Sequence, residues 1–319
     1  MNKRLLLLGL VVVAAFWGAS CGGSGAGFFF GIFFSDSGNG RLVRTAALNA
    51  LDWAEFGATG TGDNQFNSPK QVARDSLGRY YIADSANNRI VRVDDVSGAN
   101  FTKFGTLGTG TGNFDNPTGI AVDSADNIYV VDTGNNRIVE FTDMLGTGWA
   151  TFGTPGTGTG NFASPSNIAV DKLNHLYITD TGNNRVVRID DILGNNWVDL
   201  GTQGPGINQF SAPVGIAIDS LQNIYVADTG NDRIVRFAGM TNGSGWTTFG
   251  QTGSNMNEFS APTGIARDHF DHIYIADTGN NRAVRIDDIS GANWMAFGSA
   301  GSAIGQFKSI SYVLPLTKP

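Results

Sequence analysis

The sequence predicts an all-β fold, a six-bladed β-propeller made of four-stranded antiparallel blades. Three observations support this prediction. One block of residues recurs at a spacing of 48 residues, with a single interval of 49. Each copy holds four short runs with strand-like alternation. The two ends of the chain hold complementary parts of one further copy, so one blade would be shared between the N- and C-termini. A period of this length with β-type composition is typical of propellers.

The most regular part of the repeat is "YVVDTGNNRIV" at residues 129–139, in which an Arg follows an Asp after five residues. A catalytic group is needed once, whereas this pair occurs six times at equivalent positions. The repeat therefore predicts structural ion pairs at strand ends, each worth about 0–1 kcal/mol if exposed. The pairs are Asp36–Arg41, Asp84–Arg89, Asp132–Arg137, Asp180–Arg185, Asp228–Arg233 and Asp277–Arg282.

The unit at 114–161 illustrates the four predicted strands, separated by Gly, Asn and Asp turn residues. They are "GIAVD" (119–123), "NIYVV" (127–131), "RIVEF" (137–141) and "WATFG" (149–153). Two aromatic columns recur with the same period and predict packing between blades. The columns are Phe66, Phe114, Phe162, Phe210, Phe259 and Phe307, and Trp53, Phe101, Trp149, Trp197, Trp246 and Trp294.

The ends of the chain complete the repeat. Residues 31–44 align with the second and third strands of the unit at 114–161, and residues 307–317 align with its first strand. Sharing one blade between the termini would close the ring by backbone hydrogen bonds and leave no open sheet edge. We therefore expect a propeller over 28–319, with blades 1 to 5 at 66–113, 114–161, 162–209, 210–258 and 259–306, and blade 6 split between 28–65 and 307–319.

The first 20 residues have the features of a secretory signal: Lys3 and Arg4, an apolar run, then small residues. Cys21, the only cysteine, follows at once, and the segment resembles a bacterial lipoprotein signal. We expect export, lipidation of Cys21 and attachment to the cell envelope at the outer membrane or surface, with residues 21–27 as a tether. The alternatives are a periplasmic or secreted protein in which Cys21 is incidental, and an uncleaved N-terminal anchor.

The segment "FDNPTGIAVDSADNIYVVDTGNNRIVEF" (114–141) closely resembles the NHL repeat, and the resemblance extends over about residues 28–319. It implies a six-bladed propeller that mediates protein contacts or sensing. Some proteins with this repeat bind RNA, and others are peptidyl hydroxyglycine lyases that use metal-binding histidines.

The blades differ most around the predicted channel mouth, where a polar and uneven ring could hold a protein, a peptide or a glycan. A solvated rim without a ligand is the alternative. The candidate binding residues are Lys70, Gln71, Thr118, Ser166, Asn167, Thr263 and Tyr312. Arg74 and Arg267 also break an apolar column, and we expect them to hold the C-terminal carboxylate and so help close the ring, or to bind an anion.

The remaining features argue against other functions. The net charge is −7, from 21 Lys and Arg against 28 Asp and Glu, so nucleic acid is not an expected partner. His175 falls in a turn of blade 3, and His269 and His272 fall in the equivalent turn of blade 5; two blades cannot easily bring these turns together, so neither a metal site nor a cofactor is expected. The expected function is a non-enzymatic binding scaffold without catalytic residues. The alternative is a propeller lyase or hydrolase resembling the peptidyl hydroxyglycine lyases.

Overall fold

The computed structural model describes residues 31–316, which form six four-stranded antiparallel sheets. The innermost strand of each sheet contacts the innermost strands of the two neighbouring sheets, so that the six blades surround a central axis. The predicted signal (1–20), the tether with Cys21 (21–27), Phe28 to Phe30 and residues 317–319 lie outside the described residues.

The strands occupy the same four places in every blade, and the ranges below run from blade 1 to blade 6. The first strands are Pro69–Arg74, Pro117–Val122, Pro165–Val170, Pro213–Ile218, Pro262–Arg267 and Ile310–Leu316. The second strands are Tyr80–Asp84, Ile128–Asp132, Leu176–Asp180, Ile224–Asp228, Ile273–Asp277 and Gly31–Asp36. The third strands are Arg89–Val93, Arg137–Phe141, Arg185–Ile189, Arg233–Phe237, Arg282–Ile286 and Arg41–Thr45. The fourth strands are Thr102–Phe104, Ala150–Phe152, Val198–Leu200, Thr247–Phe249, Met295–Phe297 and Ala54–Phe56.

The first strands begin earlier than the sequence indicates. In blade 2 the strand starts at Pro117 rather than at Gly119, because Pro117 pairs with Asp132 across an irregularity in the register. Proline is tolerated at this point because the first residue of a strand can lack a ladder donor.

Blade 6 contains residues from both ends of the chain. Gly31–Asp36 lies between Arg41–Thr45 and Ile310–Leu316, antiparallel to both, with Phe34 opposite Val313. Backbone pairing therefore joins the first described strand of the chain to the last.

The core lies between blades. Six apolar clusters fill the ring, one between each two neighbouring blades, and the cluster between blades 6 and 1 also includes Ala266 of blade 5. The six phenylalanines of the first aromatic column are fully buried in these clusters. Second strands are buried throughout, since both of their faces meet a neighbouring blade, whereas fourth strands are largely open to solvent.

Connections between blades run beside the strand that follows. Short parallel pairings join Thr106–Leu107 to Asn113–Phe114, Thr154–Pro155 to Asn161–Phe162, and Thr202–Gln203 to Gln209–Phe210. Single parallel bridges occupy the same place in the other three blades. The 3-10 turns that link second and third strands are Ser37–Asn39, Ser85–Asn87, Thr181–Asn183, Thr229–Asn231 and Thr278–Asn280. Across residues 31–316, no helix is long and apolar enough to cross a lipid bilayer.

Candidate functional site

The predicted Asp–Arg pairs form in all six blades, and they are buried rather than exposed. Each Arg Nε lies 2.7–2.8 Å from Oδ2 of its Asp. The six carboxylates are fully buried, because the neighbouring blade and the incoming connection cover them. In blades 1 to 5, burial raises the pKa of these carboxyls despite their hydrogen bonds; the residues are Asp84, Asp132, Asp180, Asp228 and Asp277.

Each pair also binds the connection that enters its blade. In blade 2, Asp132 Oδ1 accepts the Asp115 N–H at 2.7 Å, and Asn135 donates to Oδ2 at 2.8 Å. Arg137 donates to the carbonyl oxygens of Thr109 at 2.6 Å and Asn113 at 3.0 Å. The pair therefore holds a loop, two strand ends and the turn between them, which is more than the turn alone.

A second repeated contact was missed in the sequence. The residue after each motif Asp is Ser or Thr, and in five blades its hydroxyl donates to the backbone carbonyl of the residue that begins the next blade's first strand. Ser85, for example, donates to the Pro117 oxygen at 2.5 Å. The full set is Ser37 to Pro69, Ser85 to Pro117, Thr181 to Pro213, Thr229 to Pro262 and Thr278 to Ile310. The Ser or Thr that follows the motif Asp in every repeat is the sequence feature from which this contact could have been predicted.

The histidines lie on the face opposite the Asp–Arg motif, in the turns between first and second strands. His175 Nδ1 lies 2.8 Å from Asp171 Oδ2, and His272 Nδ1 lies 2.7 Å from Asp268 Oδ2. Asn127 makes the equivalent bond to Asp123 in blade 2 at 2.9 Å, so these two histidines serve the turn as an asparagine does. His269 is exposed beside Phe270.

Arg74 and Arg267 both make hydrogen bonds to backbone carbonyls near them in the fold. Arg267 Nε donates to the Ile218 carbonyl of the neighbouring blade at 3.0 Å, and its guanidinium pairs with Asp271. Arg74 donates to the Gly78 carbonyl at 3.3 Å and lies over the Tyr80 ring. The C-terminal carboxylate that they were expected to meet lies outside the described residues.

The predicted rim residues converge at one mouth of the channel, on the face of the Asp–Arg motif. Lys70, Gln71, Thr118, Ser166, Asn167 and Thr263 line a cavity of about 220 Å³, together with Val214, Thr278, Ser309 and Ser311. All six blades therefore contribute to this wall. Part of this wall comes from the residue that follows the proline at the start of the first strand in blades 1 to 5, and the type of this residue varies between blades.

Two larger side chains lie below this mouth. Gln71 reaches across from blade 1, where its Nε2 donates to the Ile168 carbonyl of blade 3 at 2.9 Å and its Oε1 accepts the Ile120 N–H of blade 2 at 2.9 Å. Tyr312 departs from its predicted place on the rim. It is buried in the cluster between blades 6 and 1, and its hydroxyl lies 3.5 Å from Gln71 Nε2.

Two glycines allow the first strands of neighbouring blades to lie close together. A Cβ at Gly215 would lie 2.2 Å from the Thr263 oxygen, and one at Gly264 would lie 2.6 Å from the Ser311 oxygen. The first strands of blades 4, 5 and 6 therefore approach each other as closely as they do because these positions lack a side chain.

Two polar groups of the mouth lack a partner. The Lys70 ammonium makes no hydrogen bond or ion pair with residues 31–316, and burial lowers its pKa. Asn167 is about nineteen-twentieths buried, and its Oδ1 accepts no hydrogen bond from the described residues. Because buried polar groups are normally paired, the unpaired Lys70 ammonium, which lines the cavity, marks where a ligand could bind.

The rim hydroxyls, in contrast, already donate to protein oxygens. Thr118 donates to the Ser166 carbonyl at 2.6 Å, Thr263 to the Ser311 carbonyl at 3.1 Å, and Ser311 to the Pro69 carbonyl at 3.0 Å. Within the described part of the chain, no three His, Cys, Asp or Glu side chains are grouped so that they could hold a metal ion.

Comparison with known families identifies the repeat. The NHL repeat model matches residues 114–141, 162–189 and 210–237, which are the first three strands of blades 2, 3 and 4 with the residues just before them. No curated protein matches the sequence significantly.

Solved structures share the fold at low sequence identity. A chain of the nidogen/laminin complex is 17% identical, with a TM-score of 0.67 over 89% of this chain and 97% of that chain. A streptogramin B lyase is 18% identical, with a TM-score of 0.58 over 86% of this chain and 80% of that chain. A catalytically inactive virginiamycin B lyase from Staphylococcus aureus with quinupristin is 20% identical, with a TM-score of 0.55 over 84% of both chains. Similarity at this level establishes the propeller fold alone.

Proposed function

Because the chain is a six-bladed propeller with matches to the NHL repeat in blades 2, 3 and 4, we propose that it is an exported, lipid-anchored binding module that holds a protein, peptide or glycan ligand at its channel mouth. The propeller supplies a rigid ring, the mouth on the Asp–Arg face supplies the binding site, and Cys21 would supply the attachment to the membrane.

One observation carries the proposal. The blades use the same residue types where side chains brace the fold, but they differ at the channel mouth, where they also leave the Lys70 ammonium and Asn167 Oδ1 without partners among the described residues. Bracing explains the repeated columns, whereas the unpaired groups at the mouth have no role in the fold. A concave site with a few convergent polar groups is the usual form of a ligand site.

A steric block of the mouth tests this proposal. Val214 lines the cavity, and its side chain can make no hydrogen bond, so Val214→Trp should fill the mouth without breaking a polar contact. The matched control is Leu221→Trp, at an exposed turn on the opposite face of the same blade. Both full-length variants would be used to capture partners from solubilised native envelope, with quantitative mass spectrometry as the readout.

We expect Val214→Trp to lose the partners that the wild-type protein and Leu221→Trp retain. Equal recovery with both variants, at unchanged melting temperatures, would show that the mouth is not the binding site.

An elimination reaction is the second candidate, because the same propeller fold is used by lyases. Lys70 is the group in the mouth suited to take a proton, since burial lowers its pKa below the ordinary value for lysine. The protein would be incubated with quinupristin and with a peptidyl hydroxyglycine, and products would be followed by mass spectrometry. We expect no turnover. Product formation by the wild-type protein that is lost in Lys70→Met would show that the protein is an enzyme rather than a binding module.

A further inference from the structure

The charge of the channel mouth is positive and comes from one residue. Lys70 is the charged member of the ten residues that line the cavity, and no carboxylate shares the wall with it. The equivalent positions of the other blades hold the neutral residues Thr118, Ser166, Val214, Thr263 and Ser311. An ammonium that is largely withdrawn from water and has no counter-ion within the described chain is unfavourable, and an anionic ligand would relieve this.

Asn167 lines the same cavity as Lys70 but does not offer a second polar contact to a ligand. Its Oδ1 accepts nothing from residues 31–316 and is enclosed by protein. The Lys70 ammonium is therefore the charged group of the mouth with which a ligand can pair, and an anion is the group that suits it.

The size and the wall of the cavity favour a peptide end over a sugar acid. The volume of about 220 Å³ is below the roughly 300–1,000 Å³ of pockets that enclose drug-sized ligands, which suits one terminal residue. Val214 offers an apolar surface to its side chain. The hydroxyl protons of Thr118, Thr263 and Ser311 already point to carbonyl oxygens, so that few donors are left for the several hydroxyls of a sugar.

We infer that the channel mouth binds the C-terminus of a peptide, with its carboxylate on the Lys70 ammonium. This inference rests on the proposed binding function and adds the chemical class of the ligand. Specificity comes from the charge at the end of the peptide and from an apolar last side chain against Val214.

Two matched probes test the charge. Binding of N-acetyl-Ala-Val with a free carboxylate would be compared with its C-terminal amide by isothermal titration calorimetry on the full-length protein in detergent. We expect the acid to bind at least about tenfold more tightly, which corresponds to about 1.4 kcal/mol. A methyl glucuronide, which carries a carboxylate and hydroxyls, is the third probe and represents the sugar acids.

Variants of Lys70 identify the group that is responsible. Lys70→Met should weaken binding of the acid about tenfold and leave binding of the amide unchanged, whereas Lys70→Arg should retain the preference. Lys172→Met, on the exposed opposite face, is the control and should bind as the wild type does. Melting temperatures report whether each variant is folded, and the arginine variant keeps the test decisive if the methionine variant is not.

Each outcome separates this inference from the proposed function. Equal binding of acid and amide, or no binding of either at millimolar concentration, overturns the peptide C-terminus as the ligand. Binding of the glucuronide alone replaces it with a sugar acid. In both cases the binding function still stands if Val214→Trp abolishes partner capture, and it fails separately if Val214→Trp does not.

Discussion

Replacing Asp132 with Ala should destabilise the propeller far more than loss of a surface ion pair would. The Asp132 carboxylate is fully buried and accepts the Asp115 N–H at 2.7 Å, Asn135 at 2.8 Å and Arg137 at 2.8 Å. Removing one partner of a buried pair typically costs about 3–5 kcal/mol, because the other charge is left in place. Arg137 retains some contact with water and two carbonyl partners, so we expect the lower end, about 3 kcal/mol.

The assay is guanidinium unfolding of the purified protein, followed by tryptophan fluorescence and circular dichroism. The control is Asp63→Ala, which removes an ion pair of the same length, 2.8 Å to Lys103, that is open to solvent. This control should leave the free energy of unfolding nearly unchanged. A loss below about 1 kcal/mol for Asp132→Ala would refute the argument that burial makes the repeated pair essential.

Three further predictions follow from the same structure. Arg267→Val should lower the free energy of unfolding by about 1–3 kcal/mol, because it breaks a bond to the neighbouring blade, whereas Arg74→Val should cost less; equal melting temperatures for the two variants would contradict this. Folding raises the pKa of all seven tyrosines mainly through burial, to about 12 for Tyr81 and Tyr274, so the native protein should show less phenolate absorbance at 295 nm near pH 10 than the unfolded chain does. Stability should be intact below the unfolded-state tyrosine pKa of about 10 and fall as the pH rises towards 12. Cys21→Ser should abolish incorporation of radiolabelled palmitate and move the protein out of the membrane fraction; labelling that persists would place the lipid elsewhere.

The repeat in the sequence was sufficient to predict the blades, because each strand recurs in an equivalent environment. Arg137–Phe141 was predicted with its observed bounds, and the other strands of blade 2 differ by one to two residues. Burial of the Asp–Arg pairs could not be predicted from their spacing. The pairs are buried because the connection from the preceding blade folds over them. This contact joins two repeats, so the sequence of a single repeat does not indicate it.

The channel mouth was predicted in part. Comparing the blades marked the variable positions, and the structure brings Lys70, Thr118, Ser166 and Thr263 together there. The comparison could not show that Gln71 crosses the axis to blade 3 while Tyr312 points into the core. Those directions depend on contacts with other blades, such as the Ile120 N–H and the Ile168 carbonyl that hold Gln71, and these contacts are a property of the whole ring and not of one repeat.

The position of Ile310–Leu316 bears on how the protein is made. This strand is synthesised after the first strands of the two neighbouring blades that it contacts, and after Gly31–Asp36, with which it pairs. A nascent chain can thus stack blades 1 to 5 but retains one unpaired strand edge until Ile310–Leu316 has been made. The ring can therefore close only after residues 31–36 and 310–316 are both present in the same compartment.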